Sequence, residues 1–197
     1  MHTPTDMTDF HTFAVVFAIP GASSLETHLD ELAAAGCDDA AFMGPATDGT
    51  FLAEFDREAP DFTTAVVSAI DALTGAVDGL RVQRVCPDDL VTISAIADRT
   101  GRTDESIRLL VRGARGPGDF PPAAGRINDK TYIWRWVDVA RWFETALDER
   151  PAGAEHARLI AAINHALQLS AMTDELREHP EELAAVAHFM PPHLEPA

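Results

Sequence analysis

Apolar and polar positions follow two rhythms along this chain, and each predicts an element. Phe13-Ala14-Val15-Val16-Phe17-Ala18-Ile19 is a continuous apolar run stopped by Pro20-Gly21, the mark of a buried strand. Ser24 can cap a helix that puts Leu25, Leu29 and Leu32 on one face, with Gly36 ending it. Ala40 to Met43 and Thr50 to Asp56 read as two strands joined by the turn-rich Gly44-Pro45-Ala46-Thr47-Asp48-Gly49. Phe62, Ala65, Val66, Ala69, Ile70 and Leu73 then fall at helical spacing, with Asp61 to start that helix and Gly75 to end it. Leu80 to Val85 is a last strand.

The pattern divides the chain into three segments: 10–87, 88–147 and 151–190. The first has the order βαββαβ, which resembles the ferredoxin-like split βαβ, a fold that hosts many unrelated functions. In the third, Leu159, Ile160, Ile163, Ala166 and Leu167 share a helical face. Thr173 can start a second short helix, and after His179-Pro180 a third can run from Glu181 to Met190. A disordered tail is expected from Pro191-Pro192. The fold class that follows is α+β: a ferredoxin-like front, a central helical unit and C-terminal helices.

Composition narrows the function classes. The chain of 197 residues is 46% hydrophobic and 24% charged, and no stretch reaches the ~20 apolar residues of a membrane span. Met1 to Phe10 is polar and acidic, unlike a secretory signal, and Cys37 and Cys86 form no CxxC. A cytoplasmic, nucleoid-associated protein with no membrane partner is expected. The net charge of −17 argues against nucleic acid until its distribution is seen. Residues 81–141 hold eleven of the fifteen Lys and Arg against eight acids, a net of +3, while the remainder carries −20. Local charge decides whether a surface attracts phosphate.

The basic window carries the most informative pattern. Ile93, Ile96 and Ala97 form a short apolar face, Gly101 permits a tight turn, and Thr103 can cap a second helix with Asp104 and Glu105 at its positive end. Ile107, Leu110 and Val111 pack that helix back on the first. This is a helix-turn-helix, and its second helix leaves Arg102, Ser106, Arg108 and Arg112 as polar positions. Gly113 to Pro122 cannot continue a helix. Gly125 to Trp134 reads as a hairpin turning at Asn128-Asp129, with Arg126 and Lys130 near its tip. Asp138 can cap a closing helix that buries Val139 and Phe143, and Trp134, Trp136 and Trp142 are spaced for core packing.

Three motifs in order, Ser94 through Ile107, Gly116 through Pro122 and Trp134 through Trp142, resemble the excisionase-like winged helix of the MerR superfamily over about 60 residues. The resemblance implies base recognition by the second helix and phosphate contact by the wing. The DNA-binding residues expected are Arg99, Arg102, Thr103, Ser106, Arg108, Arg112, Arg115, Arg126, Lys130, Tyr132 and Arg135. Arg99, on the supporting helix, reads equally well as a salt-bridge residue. Acidic Asp129 weakens the wing's expected grip. The front segment is similar to one found ahead of this winged helix in bacterial regulators of unassigned role.

Enzyme chemistry has little to stand on. Asp48, Glu54, Asp56 and Glu58 alternate as a solvated strand face does, with no nucleophile or His beside them. The eight His are scattered, and Gly44 to Gly49 lacks the Lys and following helix of a phosphate loop. No catalytic residue, metal ligand or cofactor is expected. The expected partners are double-stranded DNA, a second copy of the chain in a homodimer, and a small-molecule or protein effector at the N-terminal domain. Repression by promoter occlusion is the simplest mechanism. The alternatives are an interaction module tethered by its winged helix, and an architectural DNA factor of excisionase type.

Overall fold

The structure, a computed structural model, describes residues 8–189. It is α+β, with two small antiparallel sheets. The first contains β1 (Asp9–Ala18), β2 (Ala40–Met43), β3 (Phe51–Ala59) and β4 (Arg81–Cys86) in the order β2-β3-β1-β4. Helices α1 (Leu29–Leu32) and α2 (Phe62–Ala76) connect these strands. Alternation along β3 turns one face of the sheet to the core, while β1 buries Val15, Val16 and Phe17 in succession. Phe51, Ala53, Phe55 and Ala59 of β3 point into the core, while Glu54, Asp56 and Glu58 are exposed. Phe13, Val15 and Phe17 of β1 join them, and α2 covers them with Phe62, Ala65, Val66, Ala69 and Leu73. Phe13 and Phe55 stack with centroids 5.5 Å apart. Burying each such aromatic contributes on the order of 1.5–3 kcal/mol.

One charged side chain enters this core. Arg57 bonds both carboxylate oxygens of Asp39 at 2.8 Å, and its Nη2 donates to the Gly36 carbonyl. The ion pair and carbonyl satisfy a guanidinium that would otherwise be buried without partners. They also tie the turn after α1 to β3.

Local differences from the sequence expectations have local causes. Ser24 does not cap a long helix: its hydroxyl accepts from Glu26 N in a turn, and α1 begins only at Leu29 before running into a π-type turn over Ala33–Cys37. Gly36, at φ +91°, breaks the helical path there. Asp61 does cap α2, accepting from Thr64 N at 2.8 Å, but the helix runs through Gly75 to Ala76. β3 extends to Ala59 because β1 starts at Asp9 and pairs it along that whole length.

The second unit contains β5 (Leu90–Val91), α3 (Ile93–Thr100), α4 (Asp104–Val111), β6 (Gly125–Arg126), β7 (Tyr132–Arg135) and α5 (Trp136–Leu147). Its three-stranded sheet has the order β5-β7-β6. Ile96, Ile107, Leu110, Val139, Phe143 and the three tryptophans close its core. Trp134, Trp136 and Trp142 are 3%, 2% and 8% exposed, so their rings are packing, not stacking platforms for bases. Asp138 is not the cap of α5; the helix starts two residues earlier, with Arg135 at its N-cap, and Asp138 sits in the first turn.

Helix α6 (Ala157–Glu175) joins the two cores, placing Ala157 in the second and Ile160 in the first. Just ahead of it, His156 stacks flat on Phe62 with centroids 3.7 Å apart. Asn164 lies against the open edge of β4. Its Oδ1 accepts from Val85 N at 2.7 Å and its Nδ2 donates to Val85 O at 2.9 Å. The carboxamide thus supplies the donor and acceptor of a missing neighbour strand, which also blocks that edge from pairing elsewhere. Thr173 does not start a helix; it lies inside α6 and its hydroxyl donates to Leu169 O. Helix α7 (Pro180–Ala187) follows, with no buried residue. Met190 and the tail expected from Pro191 fall outside the described residues. No helix among the described residues is long and apolar enough to cross a membrane.

Candidate nucleic-acid interface

Helices α3 and α4 are each about two turns long, too short to persist without caps and packing. Both have the caps. Thr92 accepts from Ala95 N, and Thr103 accepts from Ser106 N at 3.2 Å. Between them Gly101 adopts φ +63°, and its backbone N–H closes the end of α3 on Asp98 O. A residue with a Cβ is strained in that conformation. Ile107 and Leu110 bury one face of α4, which turns Arg108 and Arg112 toward the hairpin of β6 and β7.

The loop after α4 is pinned, not loose. Trp134 donates from Nε1 to Pro121 O at 3.1 Å, and Trp142 donates to Gly118 O at 3.0 Å. Gly116, at φ +79°, lies so close to Leu110 that a Cβ would come within 2.8 Å of its Cδ2. Asn128 turns the hairpin by accepting from the backbone N–H groups of Lys130 and Thr131 at 2.9 Å.

Between α4 and the hairpin lies a groove of about 510 Å³. Arg108, Arg112, Lys130 and Tyr132 line it, and Ile93, Val111, Phe120, Pro121 and Trp134 make its apolar floor. Four of the expected contact residues therefore converge, although 18 or more positions separate the helix pair from the hairpin pair. Arg112 and Lys130 are exposed and make no ion pair with a described residue. Arg115 is exposed on the loop beyond α4. Arg126 is half exposed at the hairpin, 3.9 Å from Asp129 and 6.0 Å above the Tyr132 ring. Arg108 is partly neutralised along its own helix, by Asp104 at 3.2 Å and Glu105 at 3.8 Å. Ser106 is half-buried, and the Thr103 hydroxyl already serves the helix end.

Three of the expected residues lie elsewhere. Arg102 turns back to Glu149, with Nη2 at 2.6 and 2.9 Å from its two oxygens, and lies 5.5 Å over Phe143. Arg99 donates from Nη2 to Asp88 O and lies 4.9 Å over Trp136. Burial pushes its guanidinium below the ordinary range, against the pull of Asp88 and Asp89. These two arginines lock the unit together. Arg135 lines a separate cavity beside α6. The sequence carried no sign of the Glu149 contact, which a left-handed turn at Asp148 (φ +54°) makes possible. The groove's apolar floor was legible only as residues destined for packing.

Cys37 and Cys86 are free thiols, both raised above the usual cysteine range by burial. No group of three or more potential metal ligands occurs among the described residues. Comparison with family models, curated proteins and solved structures finds no match to this chain.

Proposed function

We propose that the chain binds double-stranded DNA through α4 and the hairpin, as a homodimeric transcription regulator of winged helix-turn-helix type with a ferredoxin-like front domain. The observation that carries this reading is the convergence of Arg108, Arg112, Lys130 and Tyr132 on one groove, with Arg126 over the Tyr132 ring and Arg115 exposed on the loop after α4. The sheet orders β2-β3-β1-β4 and β5-β7-β6 support the two fold assignments. Arg112, Arg115 and Lys130, which make no ion pair with a described residue, contact phosphates together with Arg126, and each phosphate contact displaces counterions. Arg108 and Ser106 face base edges, with Arg108 oriented by Asp104. A single α4 spans few base pairs, so two copies supply two half-sites. Occlusion of a promoter then represses transcription.

The test is enrichment of fragments of the source genome on the purified chain, beside an Arg112→Ala, Lys130→Ala double variant. A discrete site is expected, lost in the variant, with the salt slope shallower by ~0.9 per phosphate contact removed. Failure of the wild-type chain to bind any fragment at low salt overturns the proposal. A second reading rests on the groove's apolar floor, which suits a protein segment better than a sugar–phosphate backbone. In that case a partner protein protects Phe120 and Tyr132, and DNA does not.

A further inference from the structure

Helix α7 buries none of its residues, although it carries an apolar stripe. Leu183, Val186 and Ala187 fall at i, i+3 and i+4, and Phe189 follows the helix 82% exposed. At eight residues α7 is too short to persist in water on its own hydrogen bonds. Its main contact is the 3-10 turn Leu176–Glu178 from which it springs. Acids gather at its start. Glu182 borders the stripe, Glu181 stands beside it, and Glu178 lies just ahead in the turn. All three are exposed, none pairs with a described cation, and no Lys or Arg occurs between Pro180 and Ala187.

The groove between α4 and the hairpin has the complementary character. Val111, Phe120 and Trp134 form an apolar floor, and Arg112 and Lys130 stand at it as exposed cations with no ion pair to a described residue. An apolar stripe edged by acids matches an apolar floor edged by cations. Charge also decides against two rival seats for the stripe. Two copies of α7 laid together would gather acids and no Lys or Arg. The open face of the first sheet presents Glu54, Asp56 and Glu58, which would repel α7 as well.

We propose that α7 of one copy of the chain lies in the groove of a second copy, stripe down, with Glu182 and Glu178 toward Arg112 and Lys130. The exchange is reciprocal about a two-fold axis, so one association makes two such contacts. A groove filled in this way is closed to phosphate. Self-association through α7 and DNA binding therefore compete, and only that consequence rests on the DNA reading. Copies seated on two half-sites keep their grooves free of α7.

The experiment is sedimentation velocity of the full chain at low salt, over a concentration series reaching ~100 μM. A reversible dimer is expected, weakening as added sodium chloride screens the contact. The double variants Glu178→Lys, Glu182→Lys and Arg112→Glu, Lys130→Glu are each expected to be monomeric. Mixed in equal amounts they should form the dimer again, because every helix then meets a groove of opposite charge. All four side chains are exposed, so the reversals leave both cores intact. Leu183→Ala should weaken association by about tenfold or more, as loss of a seated aliphatic side chain does. A wild-type chain that stays monomeric over the whole series overturns the inference. A dimer that survives either reversal alone, a mixture that does not reassociate, or a Leu183→Ala variant without effect overturns it equally. None of these readouts uses DNA. A monomeric chain that binds a discrete DNA site sinks this inference and spares the DNA reading, and a dimer restored by mixing in a chain that binds no fragment does the reverse.

Discussion

The two units hold themselves together in different ways. In the first, β1 and β3 pair in unbroken register from Asp9–Ala59 to Phe17–Phe51, and one face of that long ladder carries an aromatic core. In the second, β5 and β6 are two residues each, and α3 and α4 eight each. Short elements gain little from their own hydrogen bonds, so threonine caps, a left-handed glycine and tryptophan N–H bonds to loop carbonyls take over. Arginine use differs in the same sense. The first unit's interior cation, Arg57, is enclosed by Asp39 and Gly36 O. The second uses Arg99 and Arg102 as internal ties and still exposes Arg112, Arg115 and Lys130. A unit built from small pieces with many caps closes without a large core and keeps Arg112, Arg115 and Lys130 on its surface.

If α6 makes the two cores one cooperative body, damage to either should lower one shared transition. Trp136→Ala in the second core and Phe17→Ala in the first should each cost ~3–5 kcal/mol, read by calorimetry as one shifted peak. Two separated transitions would dissolve the coupling and make the units independent.

The Asn164 clasp should come next in size. Asn164→Leu keeps the volume but strands the N–H and C=O of Val85, a loss of about 2–3 kcal/mol. Amide exchange at Val85 and its neighbours on β4 should accelerate, while α4 keeps its protection. Unchanged exchange at β4 would mean that solvent already satisfies that edge.

Within the second unit, Gly101→Ala should cost ~1–2 kcal/mol because the left-handed conformation is retained at a residue with a Cβ, and Thr103→Ala about 1 kcal/mol. Both are measured by denaturant midpoint. Equal costs for Ser24→Ala would contradict the comparison, since Ser24 caps a turn and no helix.

The smallest expected effect separates the units by acid. Hydrogen bonds from Thr64 hold the Asp61 carboxyl below the ordinary range, and those from Thr50 do the same for Asp48. A lowered folded value stabilises at pH above the unfolded value near 3.8, and that stability is lost as pH falls through the folded value. The first turn of α2 should therefore loosen in acid, seen as amide exchange at Thr64, before the starts of α3 and α4. Their caps, Thr92 and Thr103, do not titrate. Simultaneous loosening of all three would sink the idea.

Much of this is legible in the residues themselves. The strands at Ala40–Met43 and around Phe13–Ala18, the Asp61 and Thr103 caps, the Gly101 turn and the burial of the three tryptophans follow from periodicity and local backbone chemistry. So does the basic window, because charge along a chain needs no fold to be counted. What local signals mislead on is extent: Ser24, Asp138 and Thr173 are good capping residues, but the packing of their neighbours puts the helix ends elsewhere.

Tertiary structure alone decided which cations are available. Arg102 and Arg135 are chemically the same as Arg112 and nothing local distinguishes them, while Arg99 is marked only by its place on the supporting helix. Arg102 is claimed by Glu149 from 47 residues away, and the edge of β4 by Asn164 from 79 away. Sequence periodicity reports which face of an element is apolar and where its backbone must turn, since those depend on near neighbours. Which side chain arrives from a distant element depends on how the cores pack, and that packing left Arg112 and Lys130 at the groove while turning Arg135 toward the cavity beside α6.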